Sequence, residues 1–155
     1  MNALVAYFSY GGNTRRTGQR LGMKLDADFY EIAPKVPYTA ADVNWQDDTS
    51  RNVKEYKDVS SRPEMDHQMP DLSRYDVIYL GFPIWWYTNP RIINTFLDSG
   101  DFKGKKIILF ATSSGTGTHG AWEDLKKTYP EYDIREGRRV GSEEDLDALI
   151  REGQN

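Results

Sequence analysis

Three short runs, residues 3–8, 76–82 and 106–111, are apolar at nearly every position rather than at every second one. A strand with one face in water alternates, whereas a strand covered on both faces does not. These runs are therefore expected to be central strands of a parallel sheet, and parallel neighbours need long crossover connections, usually helical. A weaker run at residues 29–33 supplies a fourth strand, and a fifth is expected within residues 132–140.

The segments between the runs carry helix signals. A helix over residues 14–25 contains Gly18 and Gly22 one turn apart, which either close approach to the sheet or simple tolerance would explain. Asn89 is placed to cap a helix with Pro90 at its first position and Ile92, Ile93, Phe96 and Leu97 on one face. A further helix over residues 121–128 stops at Pro130. Near the end, Ser142-Glu143-Glu144-Asp145 resembles a capping box with Asp in the place of Glu, ahead of Leu146, Leu149 and Ile150 at helical spacing. Strand and helix thus alternate, the pattern of a three-layer, doubly wound α/β sheet. With 155 residues, one domain spanning 1–155 is expected. A polar insertion at about 34–75, rich in proline and charge, interrupts the alternation, with at most one modest helix at about 50–60. Its expected place is wrapped around a sheet edge, the alternative being a lid that brings Tyr38, Trp45 or Tyr56 over a bound ring.

Composition removes several functions. The absence of cysteine rules out disulfides, thiolate metal sites and iron–sulfur clusters, so any redox chemistry needs a borrowed cofactor. His67 and His119 are the only histidines, and two such separated residues make no metal site. A net charge of −4 gives no general attraction to nucleic acid or anionic lipid. The apolar stretch at residues 3–8 is too short to span a membrane. A cytoplasmic protein with no nucleic-acid or membrane partner is the expectation.

In open parallel sheets ligands bind beyond the carboxyl ends of the strands. Three turns at those ends stand out. The first is Ser9-Tyr10-Gly11-Gly12-Asn13-Thr14, where glycines, hydroxyls and an immediate helix start suit a phosphate, without the lysine of a P-loop. An ordinary strand-to-helix turn capped by Asn13 is the plainer alternative. The second, Gly81 to Asn89, contains Trp85-Trp86-Tyr87, aromatics that cover a flat ring if they do not close the core. The third, Thr112 to Gly120, is small and polar and offers backbone donors to a heteroaromatic edge.

Ser9-Tyr10-Gly11-Gly12-Asn13-Thr14, the Gly81-Phe82-Pro83-Ile84-Trp85-Trp86 run with Asn89-Pro90, and Ala111-Thr112-Ser113-Ser114-Gly115 resemble the three FMN-binding loops of the flavodoxin family, in order and on the right elements. The resemblance implies a five-stranded parallel sheet of order 2-1-3-4-5 with FMN as cofactor. It assigns Ser9, Gly11, Gly12, Asn13 and Thr14 to the phosphate, Pro83, Ile84, Trp85, Trp86 and Tyr87 to the isoalloxazine, and Thr112, Ser113, Ser114 and Gly115 to its pyrimidine side. Arg15 or Arg16 is a candidate to approach the phosphate. The implied function is low-potential electron transfer between redox protein partners, a reductase and an acceptor, without a catalytic acid or base. The alternative is an NAD(P)H-dependent FMN oxidoreductase that reduces a quinone or similar acceptor. Two departures stand against the family pattern. The chain is only mildly acidic, and Tyr87, Thr88 and Asn89 stand where related sequences often place glycine, Asn89 tolerating positive φ best of the three.

Overall fold

The structure is a computed structural model, and it describes residues 2–154. Five strands, β1 (Ala3–Tyr7), β2 (Asp28–Glu31), β3 (Val77–Pro83), β4 (Lys106–Thr112) and β5 (Asp133–Arg139), form one parallel sheet of order β2-β1-β3-β4-β5. Helices α1 (Asn13–Leu25), α2 (Arg51–Lys57), α3 (Arg91–Asp98), α4 (His119–Thr128) and α5 (Glu143–Gln154) complete it.

The near-continuous apolar runs are explained by two cores. Leu4, Ala6, Ile78, Leu80, Ile107 and Leu109 pack with Ile92, Ile93, Phe96 and Leu97 of α3 and with Ala121 and Leu125 of α4. The intervening residues, Val5, Tyr7, Val77, Tyr79, Ile108 and Phe110, pack on the opposite face with Leu21 of α1 and Leu146 and Leu149 of α5. Alternate side chains of one strand thus serve different layers, and neither set can be polar. Gly22 lies so close to β2 that a Cβ there would overlap the Phe29 ring, so close approach accounts for it.

The sequence signals at two helix starts play out differently. At α5, Asp145 N–H donates to Ser142 Oγ at 3.3 Å, and the Asp145 carboxylate accepts from Gly141 N–H at 2.8 Å, a capping box shifted by one residue. At α3 the cap position is Pro90, not Asn89. Asn89 is buried, and its amide donates inward to Pro90 O and Asn94 Oδ1, each at 2.8 Å, because an unpaired amide there costs more than an uncapped helix end.

The insertion does two things. The expectation is a segment wrapped around a sheet edge; its ends pair with each other through a bridge from Pro34 to Met65, and Met65, Met69 and Leu72 pack against the α3 side of the core. Its middle departs from that expectation and reaches the strand ends. Arg91 of α3 grips α2 by donating to Glu55 O at 3.1 Å and Tyr56 O at 2.7 Å. Tyr38 donates its hydroxyl to Glu55, which also accepts from Arg51 Nε at 3.0 Å, while the Arg51 guanidinium lies 3.8 Å from the centre of the Tyr38 ring. Burial pushes the Tyr38 hydroxyl well above the usual phenol range, with Glu55 adding to it.

Candidate functional site

All three turns lie at the carboxyl ends of β1, β3 and β4, the neighbouring central strands. In the first, Gly11 and Gly12 take φ of 81° and 96°, left-handed values that side chains resist. Gly12, not Asn13, is the cap residue of α1, and the cap position itself makes no side-chain hydrogen bond. Asn13 is instead the first helical residue, its side-chain Oδ1 accepting from the Arg16 guanidinium. Ser9 Oγ accepts from Arg15 N–H at 3.2 Å. Ser9 thus takes one first-turn donor, and the other backbone N–H groups at a helix start of this kind suit an anion. The two arginines part company: Arg15 pairs with Glu31, whereas Arg16 folds back until Nη1 stands 3.0 Å from where a Gly12 Cβ would be.

Thr14 is almost wholly buried, and its hydroxyl lies 2.7 Å from that of Thr112 in the third turn. The third turn is tied to the second as well, since Ile84 N–H donates to Thr112 O at 3.2 Å. Thr112 thus joins all three turns, a role that its place in a run of small polar residues did not signal.

The second turn is a two-residue hairpin. Trp85 N–H donates to Thr88 O at 3.0 Å, and Thr88 N–H returns to Trp85 O at 3.2 Å. Trp86 and Tyr87 at its tip take φ of 55° and 63°, so positive φ falls on two aromatic residues and not on Asn89. Such strain persists only where the surroundings over-determine it. Here Thr88 Oγ1 donates to Asp124 at 2.6 Å, and Gly120 of α4 lies under the Tyr87 carbonyl, which a Cβ would strike. Trp85 is braced edge-on by Phe8, Tyr10 and Tyr38 at centroid distances of 5.5, 6.5 and 5.1 Å. Trp86 stacks on Tyr56 at 5.3 Å and meets the edge of Trp45 at 6.5 Å. Its indole Nε1 is buried without a hydrogen-bond partner. Pro83, Ile84, Trp85 and Trp86 remain partly exposed and Tyr87 is exposed, so the two indoles form a surface that is walled and not sealed.

In the third turn Ser113 Oγ donates to Thr116 O at 2.5 Å and accepts from Gly115 N–H at 3.3 Å, which sets the curve of the loop. Ser114 and Gly115 are exposed. Arg139, from the neighbouring strand, donates Nε–H to Ser113 O at 3.1 Å. His119, at the start of α4, is held between Glu136 at Nδ1 and Glu123 at Nε2, and the hydrogen bond to Glu136 above all raises its pKa. Among the described residues no group of His, Asp or Glu is placed to hold a metal ion, and no helix is long and apolar enough to cross a membrane.

Residues 2–152 match the family model for flavodoxin. The chain belongs to the flavodoxin family. Solved structures agree. A candidate flavoprotein from Bacteroides eggerthii is 40% identical, with a TM-score of 0.94, over 99% of this chain and 98% of that one. A second, from Bacteroides uniformis, is 42% identical, with a TM-score of 0.89, over 97% of each chain. A Lactobacillus acidophilus flavoprotein solved in complex with FMN shares the flavodoxin fold, with a TM-score of 0.77 at 18% identity over 99% of each chain. No curated protein matches the chain.

Proposed function

We propose that this flavodoxin-family chain binds FMN noncovalently at the ends of β1, β3 and β4 and acts as a low-potential electron carrier between redox partner proteins. What supports the reading is the glycine-rich start of α1 beside the tryptophan hairpin: backbone donors that suit an anion and an aromatic surface, joined through Thr14 and Thr112. The residues present fit the cofactor. Gly11 and Gly12 leave room that a side chain would take, and Ser9, Asn13 and Thr14 surround donors that suit a phosphate ester. Trp85 and Trp86, with Pro83, Ile84 and Tyr87, would line the ring, and Thr112, Ser113, Ser114 and Gly115 would meet its pyrimidine side.

Bound there, FMN supplies one- and two-electron chemistry that no side chain of this protein offers. The protein's part is to orient the ring, exclude water from it and set the charge around it. The aromatic bracing favours an uncharged ring, which lowers the potential at which the last electron is accepted. No acid or base is needed for that task.

Two measurements test the reading. The purified protein titrated with FMN should quench flavin fluorescence with a one-to-one end point. Mixed anaerobically with NADPH in a stopped-flow instrument, the FMN-loaded protein should bleach slowly or not at all. Rapid direct bleaching would replace the carrier with an NAD(P)H-dependent oxidoreductase.

A further inference from the structure

β5 reaches the third turn in an unusual way. Its ladder with β4 pairs Ile108 with Arg135 but Phe110 with Arg138, so Leu109 faces both Glu136 and Gly137. Gly137 takes a φ of 62°, and a Cβ there would overlap the Leu109 carbonyl. In an unbulged ladder of the same residues Arg138 would stand opposite Ala111. With the bulge, Arg139 stands there instead, and Val140 N–H closes onto Ala111 O at 2.9 Å. Bulges beside functional sites commonly re-aim a side chain in this manner.

The two arginines then have different surroundings. Arg138 is paired with Asp145 at 3.0 Å. Arg139 is half-buried and makes no ion pair among the described residues; it donates to the uncharged Ser113 carbonyl. The carboxylates on the neighbouring elements are engaged elsewhere: Asp145 by Arg138, Gly141 N–H and Ser142 Oγ, and Glu136 by His119. A cation therefore stands behind the third turn without an ion pair of its own among the described residues, Asp145 lying beside it across Gly141 but held by Arg138.

Resting on the FMN reading above, we infer that Arg139 is a positioning residue that fixes the third turn through the Ser113 carbonyl and raises the flavin's reduction potential by the positive charge it brings to the pyrimidine side. Uptake of two electrons and one proton leaves the bound flavin with one more negative charge than the oxidised form. A nearby cation in a partly water-excluded site therefore holds the reduced form more tightly than the oxidised one. Arg139 thus offsets part of the lowering that the aromatic bracing imposes.

The test uses the FMN-loaded full chain as wild type, Arg139→Gln and Arg139→Lys. Affinity for oxidised FMN is read by fluorescence titration, and the two-electron midpoint potential by reductive titration against an indicator dye. Arg139→Gln should weaken binding of reduced FMN about tenfold more than that of oxidised FMN, a midpoint about 30 mV lower. Arg139→Lys, which keeps the charge, should restore most of the difference. A purely structural role would weaken both redox forms alike and leave the midpoint in place. Arg139→Met, which keeps the apolar stem, serves as the neutral variant if the amide variant does not fold. Variants that bind FMN at the wild-type midpoint overturn the inference alone, whereas a wild-type protein that takes up no FMN overturns the site reading with it.

Discussion

The hydroxyl pair of Thr14 and Thr112 makes a quantitative test of how the site is assembled. The oxygens are 2.7 Å apart, Thr14 is 1% exposed and Thr112 is partly exposed. Each hydroxyl has one proton to give and can accept besides, so a Thr14 that donates to a phosphate can still accept from Thr112. Thr14→Val keeps the shape but leaves the Thr112 hydroxyl without its partner; water reaches it in part, so the cost should be about 1 kcal/mol. Thr112→Val leaves the buried Thr14 hydroxyl stranded, at about 1–3 kcal/mol. Removing both hydroxyls removes the unpaired group as well, so the double variant should be more stable than the sum of the single losses by about 1 kcal/mol. Urea unfolding of the FMN-free proteins at constant slope reads this directly. Strictly additive losses would show that the pair is not coupled and that the first and third turns are held together by something else. With ligand, Thr14→Val should lose a charge-assisted hydrogen bond of about 1.5–3 kcal/mol, roughly 10- to 150-fold in FMN affinity. Riboflavin, which lacks the phosphate, should bind both proteins alike; equal losses for the two ligands would remove Thr14 from the phosphate site.

Tyr87→Gly should relieve a left-handed residue worth about 1–2 kcal/mol, less about 0.5–1 kcal/mol for the freer unfolded chain, and so raise stability by up to about 1.5 kcal/mol; a drop in Tm would show that the tip residue contributes more than its backbone costs. The imidazole of His119, raised mainly by its hydrogen bond to Glu136, should titrate above the ordinary value of about 6.5, as followed by proton NMR. Because the folded value is the higher one, the stability it contributes is complete below the unfolded value and disappears as pH rises through the folded value; Glu136→Gln should lower the midpoint, and no change there would assign the shift to Glu123. Tyr38→Phe removes a hydrogen bond to a carboxylate, about 1.5–3 kcal/mol, and should speed amide exchange around α2 by roughly tenfold or more while leaving β3 and β4 unmoved. Equal acceleration in the sheet would mean that the insertion opens only when the whole domain does.

The parts of this fold that follow one local rule were legible before the structure. Residues 3–8, 76–82 and 106–111 correspond to β1, β3 and β4 within a residue or two, because a strand buried on both faces leaves a pattern that no helix of such length shares. The terminal helix was legible from Ser142 and Asp145, whose capping is local chemistry. Asn89 misled because its amide answers to Asn94, five residues on and buried with it, and not to the helix start it precedes. The positive φ at Trp86 and Tyr87 was hidden for a related reason. Nothing in two aromatic residues announces a left-handed turn, and what holds them there comes from α4, through Gly120 and Asp124. Arg139 could not be placed at all from periodicity, since one extra residue at Gly137 shifts which arginine meets the third turn. Tyr38, Trp45 and Tyr56 were named as candidates for a lid, but a polar segment carries no period that would say which of its rings turn inward.

The insertion fastens to the hairpin through rings and to α3 through Arg91, while the domain is held by apolar layers on both sides of the sheet. Local opening of such a segment draws on a separate and smaller reserve of free energy than global unfolding does. Breathing at the mouth and endurance of the body are thereby assigned to different side chains. A lineage of such proteins can loosen or tighten passage to the indole pair by exchanging a tyrosine or tryptophan in this strap, with the melting of the sheet left where it was.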